Sequence, residues 1–212
     1  MLDIIAHRGY WNLENEKNTE KSFRSALELG FGIETDLRDY HGHIVISHDI
    51  PDEGCIKLCD FLSICKEYKN QTLAFNIKSD GLQNLITKQL DESFNFFVFD
   101  MSVPDTLGYI ENDLPFFTRY SDIEPIPSLL EESQGVWFDC FRSNSFNQSM
   151  LKSLLSKNKK TILVSPELHG YDYLDYWAEL FVFMQNNKNL IDYIGLCTDY
   201  PLRAKEYFCD AM

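Results

Sequence analysis

Two histidines, an arginine and paired carboxylates stand at or near the ends of short apolar runs in this chain. The runs read IIAHRG at 4–9, GIETDLRDY at 32–40 and IVISHD at 44–49. Each has the pattern of a buried strand closed by polar turn residues. Glu34 and Asp36 lie two apart, so on a strand their side chains leave from the same side. At a strand end they can share a hard cation, because Mg²⁺ and Ca²⁺ prefer carboxylate oxygen. Outside any motif the pair reads as two solvated turn acids. His7 and His48 carry the side chain whose unperturbed pKa lies near neutrality, which suits an acid–base pair. A lone histidine is more often structural. His41 and His43 flank a turn and are expected to be exposed, and His169 follows a predicted strand without a clear role.

Positioning such groups calls for a scaffold of repeated strands. Apolar runs predict strands at 2–7, 32–37, 72–78, 95–100, 115–119, 135–140, 160–166 and 192–198. Helical patterns follow at 18–29, 56–68, 81–92, 104–112, 125–133, 146–157, 171–186 and 202–210. This alternation predicts a parallel sheet closed into a single, compact (β/α)8 TIM barrel over residues 1–212. The strands are near-continuous apolar runs, as expected when both faces are buried. Functional groups gathered at strand ends are what an active site on this fold looks like in sequence. Residues 38–49 predict an extra hairpin after the second strand, turning at His41-Gly42. Thr19 is a plausible N-cap for the helix that starts EKSF.

The ordered set resembles the glycerophosphodiester phosphodiesterase family, within the superfamily of phospholipase C-like phosphodiesterases. The matches are His7, Arg8 and Gly9; Asn18 and Thr19 with Phe23; Glu34 and Asp36; His48 and Asp49; and YIGLCTDYP at 193–201. The resemblance implies metal-assisted cleavage of a glycerophosphodiester to glycerol 3-phosphate and an alcohol. His7 and His48 would be the acid–base pair. Arg8 would grip a phosphate oxygen with its planar fork, and Lys78 would sit as a point charge near the same phosphate. The cofactor implied is a divalent cation, Mg²⁺ or Ca²⁺, on Glu34 and Asp36. The family's third ligand is a Glu in a Glu-x-Lys motif, and this chain has Asn76-Ile77-Lys78. An amide oxygen can ligate such a cation without anionic charge. Glu167 and Asp100 are candidate compensating acids, or groups facing the sugar or alcohol. Arg119 offers a further substrate contact or a structural salt bridge. Before Asn-Thr the family has Glu where this chain has Lys17. The helical insertion common after His-Asp looks largely absent, since only residues 50–71 precede the third predicted strand. Attack by a substrate hydroxyl, giving a cyclic phosphate that is then opened or released as the final product, and direct attack by water are all open. So are a nucleotide- or polysaccharide-linked glycerol phosphate as substrate, and a weakened barrel that only binds a phosphorylated ligand.

Composition sets outer bounds. With 44% hydrophobic residues in 212 positions, the chain can bury a substantial core. A net charge of −14 argues against nucleic acid and anionic membranes as partners, but not against a small-molecule phosphodiester. No apolar stretch is long enough for a membrane span. If His7 is catalytic, as the resemblance implies, no leader is expected before it. The six cysteines form no CxxC pair and mostly sit in apolar context, which predicts buried thiols and a cytoplasmic location. Tyr10, Trp11, Tyr171, Tyr173 and Trp177 are candidates for the walls of a site, with core packing as the default for helix-spaced aromatics.

Overall fold

The computed structural model describes residues 2–68 and 70–209. In chain order its strands and α-helices are β1 (Asp3–His7), α1 (Glu20–Glu28), β2 (Gly32–Tyr40), β3 (His43–Ile46), α2 (Leu58–Cys65), β4 (Thr72–Ile77), α3 (Gln83–Thr87), β5 (Asn95–Phe99), α4 (Val103–Glu111), β6 (Phe117–Tyr120), β7 (Gly135–Phe138), α5 (Gln148–Ser156), β8 (Lys160–Val164), α6 (Leu174–Asn186), β9 (Ile194–Thr198) and α7 (Pro201–Cys209). The chain forms two compact units, with the first strand divided between them.

The unit from Ala6 to Phe116 carries β2, β4 and β5 in parallel register, with Asp36 opposite Asn76 and Asn76 opposite Phe99. Beyond Leu37, β2 leaves the parallel register and pairs antiparallel with β3 through Tyr40↔His43. His41 and Gly42 both have positive φ, 48° and 78°, as the tight hairpin turn requires. The predicted hairpin is therefore present, and both flanking histidines are exposed. Thr19 caps α1 by accepting from Ser22 N. Phe23 on that helix packs edge-on against Phe61 of α2, and Phe61 against Phe75 of β4. Aromatic contacts of this kind tie the outer helices to the strands that carry the polar groups.

The other unit runs from Phe117 onward and includes the chain start up to Ile5. Here β6, β7, β8 and β9 pair in parallel, each with the next. Their inner residues, Val136, Ile162, Leu163 and Leu196 among them, are fully buried. Gly135 has no room for a side chain: a Cβ would lie 2.3 Å from Lys160 O and 2.5 Å from the Phe117 ring. Trp177 of α6 is fully buried against Phe208 and the Tyr207 ring of α7.

Within the unit from Ala6 to Phe116 the strand order is β5-β4-β2, with β3 attached to β2, and within the other it is β9-β8-β7-β6. All eight predicted strands are present, and all but one of the predicted helices. The exception is 125–133, where the described residues form turns. Pro125 and Pro127 disfavour helix at the residues before them, and Leu129 sits at φ 53°. A second correction concerns the cysteines. Cys65 and Cys197 are buried, but Cys55 and Cys140 are partly exposed and Cys59 is exposed. No described helix is long and apolar enough to cross a membrane.

Candidate active site

The site begins at the turn after β1. Arg8 and Gly9 take consecutive left-handed conformations, φ 58° and 86°. Arg8 N donates to Glu34 O at 2.9 Å, which anchors the turn to β2. A Cβ on Gly9 would lie 2.6 Å from Ser22 Oγ and 2.7 Å from Ser22 C, so only glycine fits. The Trp11 indole donates to His7 O at 3.0 Å and holds the backbone beneath the imidazole.

The carboxylates follow on β2. Glu34 and Asp36 are essentially inaccessible to solvent. They are not at the strand end, as the sequence suggested, but close to where the parallel register gives way to the hairpin. Asp36 Oδ2 lies 3.1 Å from Arg8 Nε and accepts from Asn18 Nδ2 at 3.2 Å, while Oδ1 lies 3.5 Å from Lys78 Nζ. Thr35 donates to Asn18 Oδ1 at 2.8 Å, which fixes the amide with its NH₂ toward Asp36. His7 Nε2 lies 3.8 Å from Glu34 Oε2. Burial pushes the Glu34 carboxyl well above the usual carboxylate range, and the Asp36 charge pushes the same way; Arg8 and Lys78 oppose them.

Three oxygens in this cluster, Glu34 Oε2, Asp36 Oδ1 and Asn76 Oδ1, are buried without a hydrogen-bond donor. They are hard oxygen donors on two paired strands, the chemistry that Mg²⁺ or Ca²⁺ takes. The residues therefore fit a divalent cation, with an amide as third donor. Among the described residues, no three His, Cys, Asp or Glu side chains are grouped to hold a metal.

His48 lies on the loop after β3. Its Nδ1 is 2.9 Å from Asp49 Oδ1, and its side chain is 46% exposed. In the neutral ring, donation from Nδ1 to that carboxylate leaves the lone pair on Nε2. The loop is held by Arg38, whose Nε and Nη2 donate to His48 O at 3.2 and 3.1 Å and whose Nη1 donates to Lys78 O at 3.1 Å. Sequence reasoning missed Arg38, although positions 34, 36 and 38 alternate onto one face of the strand. Its planar fork spans two carbonyls that a lysine cannot span. Arg38→Ala and Arg38→Lys should each lower kcat/KM by roughly tenfold or more through misplacement of both ends; steady-state kinetics on the two variants checks this. A cleft of about 500 Å³ opens beside these groups, walled by Arg8, Lys17, Asn18, Thr19, Ser47 and His48.

Glu167, His169 and Arg119 belong to the other unit. Glu167 accepts from Thr198 Oγ1, Ser165 Oγ and Asp199 N, and the Trp177 indole donates to Ser165 Oγ at 2.8 Å. Burial raises the Glu167 pKa against the pull of these donors. Arg119 pairs with Glu124 and lies over the Phe141 ring. His169 Nε2 is 2.7 Å from Asp139 Oδ1, and this hydrogen bond raises the imidazole pKa above its ordinary 6.5. A raised histidine stabilises the fold fully below the unfolded value and loses that contribution as pH climbs through the folded one. His169→Gln should therefore destabilise more at pH 6 than at pH 9, as read from urea melts at the two pH values.

No family model matches the chain, and no curated protein matches it in sequence. Solved structures do match. A glycerophosphodiester phosphodiesterase from Parabacteroides distasonis is 18% identical, superposes with a TM-score of 0.70, and the match covers 99% of this chain and 98% of that one. A phosphodiesterase from Oleispira antarctica, in complex with the product sn-glycerol-3-phosphate, is 14% identical with a TM-score of 0.67, covering 97% and 96%. The fold is the (β/α)8 barrel of these phosphodiesterases. A third example, a glycerophosphodiester phosphodiesterase from Agrobacterium tumefaciens, matches over 99% of this chain and all of its own, at 13% identity and a TM-score of 0.66. The glycerophosphodiester phosphodiesterase fold thus extends over nearly the whole length, as the ordered motifs predict.

Proposed function

We propose that this protein hydrolyses a glycerophosphodiester to glycerol 3-phosphate and an alcohol. The observation that carries this reading is the gathering of His7, Arg8, Glu34, Asp36 and Lys78 within charge-pairing distance in one cluster, on the fold of glycerophosphodiester phosphodiesterases. Glu34, Asp36 and Asn76 are the residues that would hold a divalent cation, which when bound would add positive charge beside the phosphate oxygens. Arg8 and Lys78, restrained by Asp36, bind the phosphodiester and counter the charge that builds on it in the transition state. His48, with Nδ1 committed to Asp49, takes or returns a proton at Nε2. His7 serves the opposite transfer, and its ring, 13% exposed, is shielded from bulk water. The nucleophile is either water or a neighbouring hydroxyl of the glycerol unit; the latter leaves a cyclic phosphate for water to open. The exposed Cys59 thiol and the partly exposed Cys55 thiol suit a reducing cytoplasm.

Asn76 favours one second reading, a barrel that binds a phosphorylated ligand without turnover, because an amide lowers the anionic charge offered to a cation. Hydrolysis of glycerophosphocholine and glycerophosphoglycerol with Mg²⁺, Ca²⁺ or Mn²⁺, and with excess chelator, separates the two. Metal-dependent release of glycerol 3-phosphate supports the enzyme. Binding of glycerol 3-phosphate with no turnover under any condition supports the second reading.

A further inference from the structure

Lys17 is the residue of the cleft that the proposed chemistry leaves unused. It walls the same cleft as Arg8 and His48. Its backbone is tied to the site, since the next residue's amide, Asn18 N, donates to Arg8 O at 3.0 Å. Its side chain is largely buried, 18% exposed, with Nζ 4.2 Å from the centre of the Trp11 ring. The ammonium is therefore held in place rather than waving in solvent, and the ring face favours its charged form.

The charges in and beside the cleft divide by their partners. The part-buried cations Arg8 and Lys78 face the buried acids Glu34 and Asp36 and offset them. At the mouth, Glu14 meets Lys17 Nζ at 2.8 Å but is 79% exposed, and Asp49 is 93% exposed. Exposed carboxylates are well screened, and a pair of this kind contributes little. Asp52 turns its Oδ1 onto Gly54 N at 2.8 Å, within its own loop. The cation is thus sheltered and its counter-charge is not. Inside a low-dielectric wall the sheltered charge dominates the local potential, even in a chain of net charge −14.

We propose that Lys17 forms a second anion-binding position in this cleft, so that the preferred substrate is a glycerophosphodiester whose alcohol portion carries its own phosphate or carboxylate group. This deepens the proposed function and rests on the phosphodiester lying beside Arg8. Arg8 and Lys78 receive the scissile phosphodiester, and Lys17 exchanges Glu14 for the second anion of the substrate.

The test compares glycerophosphoglycerol with its form phosphorylated on the leaving glycerol. Both are titrated calorimetrically into wild type, Lys17→Ala and Lys17→Arg, and kcat/KM is measured for each pair. Wild type should favour the phosphorylated compound by roughly tenfold or more, the size of a charge-assisted contact. Lys17→Ala should lose most of that preference and Lys17→Arg should keep it. A preference ratio that is unchanged in Lys17→Ala, or a wild type that favours the unphosphorylated compound, overturns the proposal. Turnover of neither compound would count against the hydrolase, while the calorimetric ratio still decides the role of Lys17. A melting curve for each variant shows that the fold is intact.

Discussion

His7→Ala should lower kcat for a glycerophosphodiester by about 10²- to 10⁴-fold, the range for removal of a positioned general acid or base. The structure makes this a clean substitution. The His7 backbone is held by β1 pairing and by the Trp11 indole on its carbonyl, so the loop keeps its course without the ring. The ring is 13% exposed, and its 3.8 Å contact with Glu34 Oε2 is an ion pair only when the imidazole is protonated. The melting temperature should therefore change little while turnover collapses. His48→Ala should also lose activity, with an even smaller effect on stability because that ring is 46% exposed. Turnover within a few-fold of wild type in both variants would remove the histidines from the mechanism and leave electrostatic stabilisation by Arg8 and Lys78 as the main source of rate.

Legibility of the sequence followed the range of the interactions. Strands were legible because burial on both faces writes a continuous apolar run, as in FFVF at 96–99 or TILV at 161–164. The hairpin was legible because His41-Gly42 is local turn chemistry. The helix expected at 125–133 does not form, because Pro125 and Pro127 disfavour helix at the residues before them and Leu129 takes a positive φ. At the site, residue types and their order marked the residues to look at: His7 lies 3.8 Å from Glu34, and Arg8 and Lys78 lie 3.1 and 3.5 Å from Asp36. What stayed hidden was second-layer geometry. Nothing local says that the Asn18 amide is oriented by Thr35, or that Arg38 spans carbonyls on the loop after β3 and after β4. Those bonds join residues far apart in the chain, and only the fold brings them together.

Asp36→Ala should destabilise the protein by about 3 kcal/mol, because breaking a buried ion pair from one side leaves uncompensated charge. The Asp36 side chain is 1% exposed, and its two cations, Arg8 and Lys78, are 20% and 23% exposed. Both cations are tied beside the cluster at the backbone: Arg8 N is bonded to Glu34 O and Lys78 N to Leu37 O. The Asn18 amide loses its acceptor as well. Guanidinium melts give the value from the midpoint at constant slope. The cause can be separated from simple loss of packing by a second substitution. In Asp36→Ala with Lys78→Met, one stranded charge is gone, so the double variant should be more stable than Asp36→Ala alone, a coupling that packing loss does not produce. If instead the two losses add, Arg8 and Lys78 relax into the cleft at little cost. The acid at position 36 would then serve ligand binding alone, and the cluster that orients Arg8 and Lys78 would have to be held by the backbone bonds of the turn after β1 and the loop after β4.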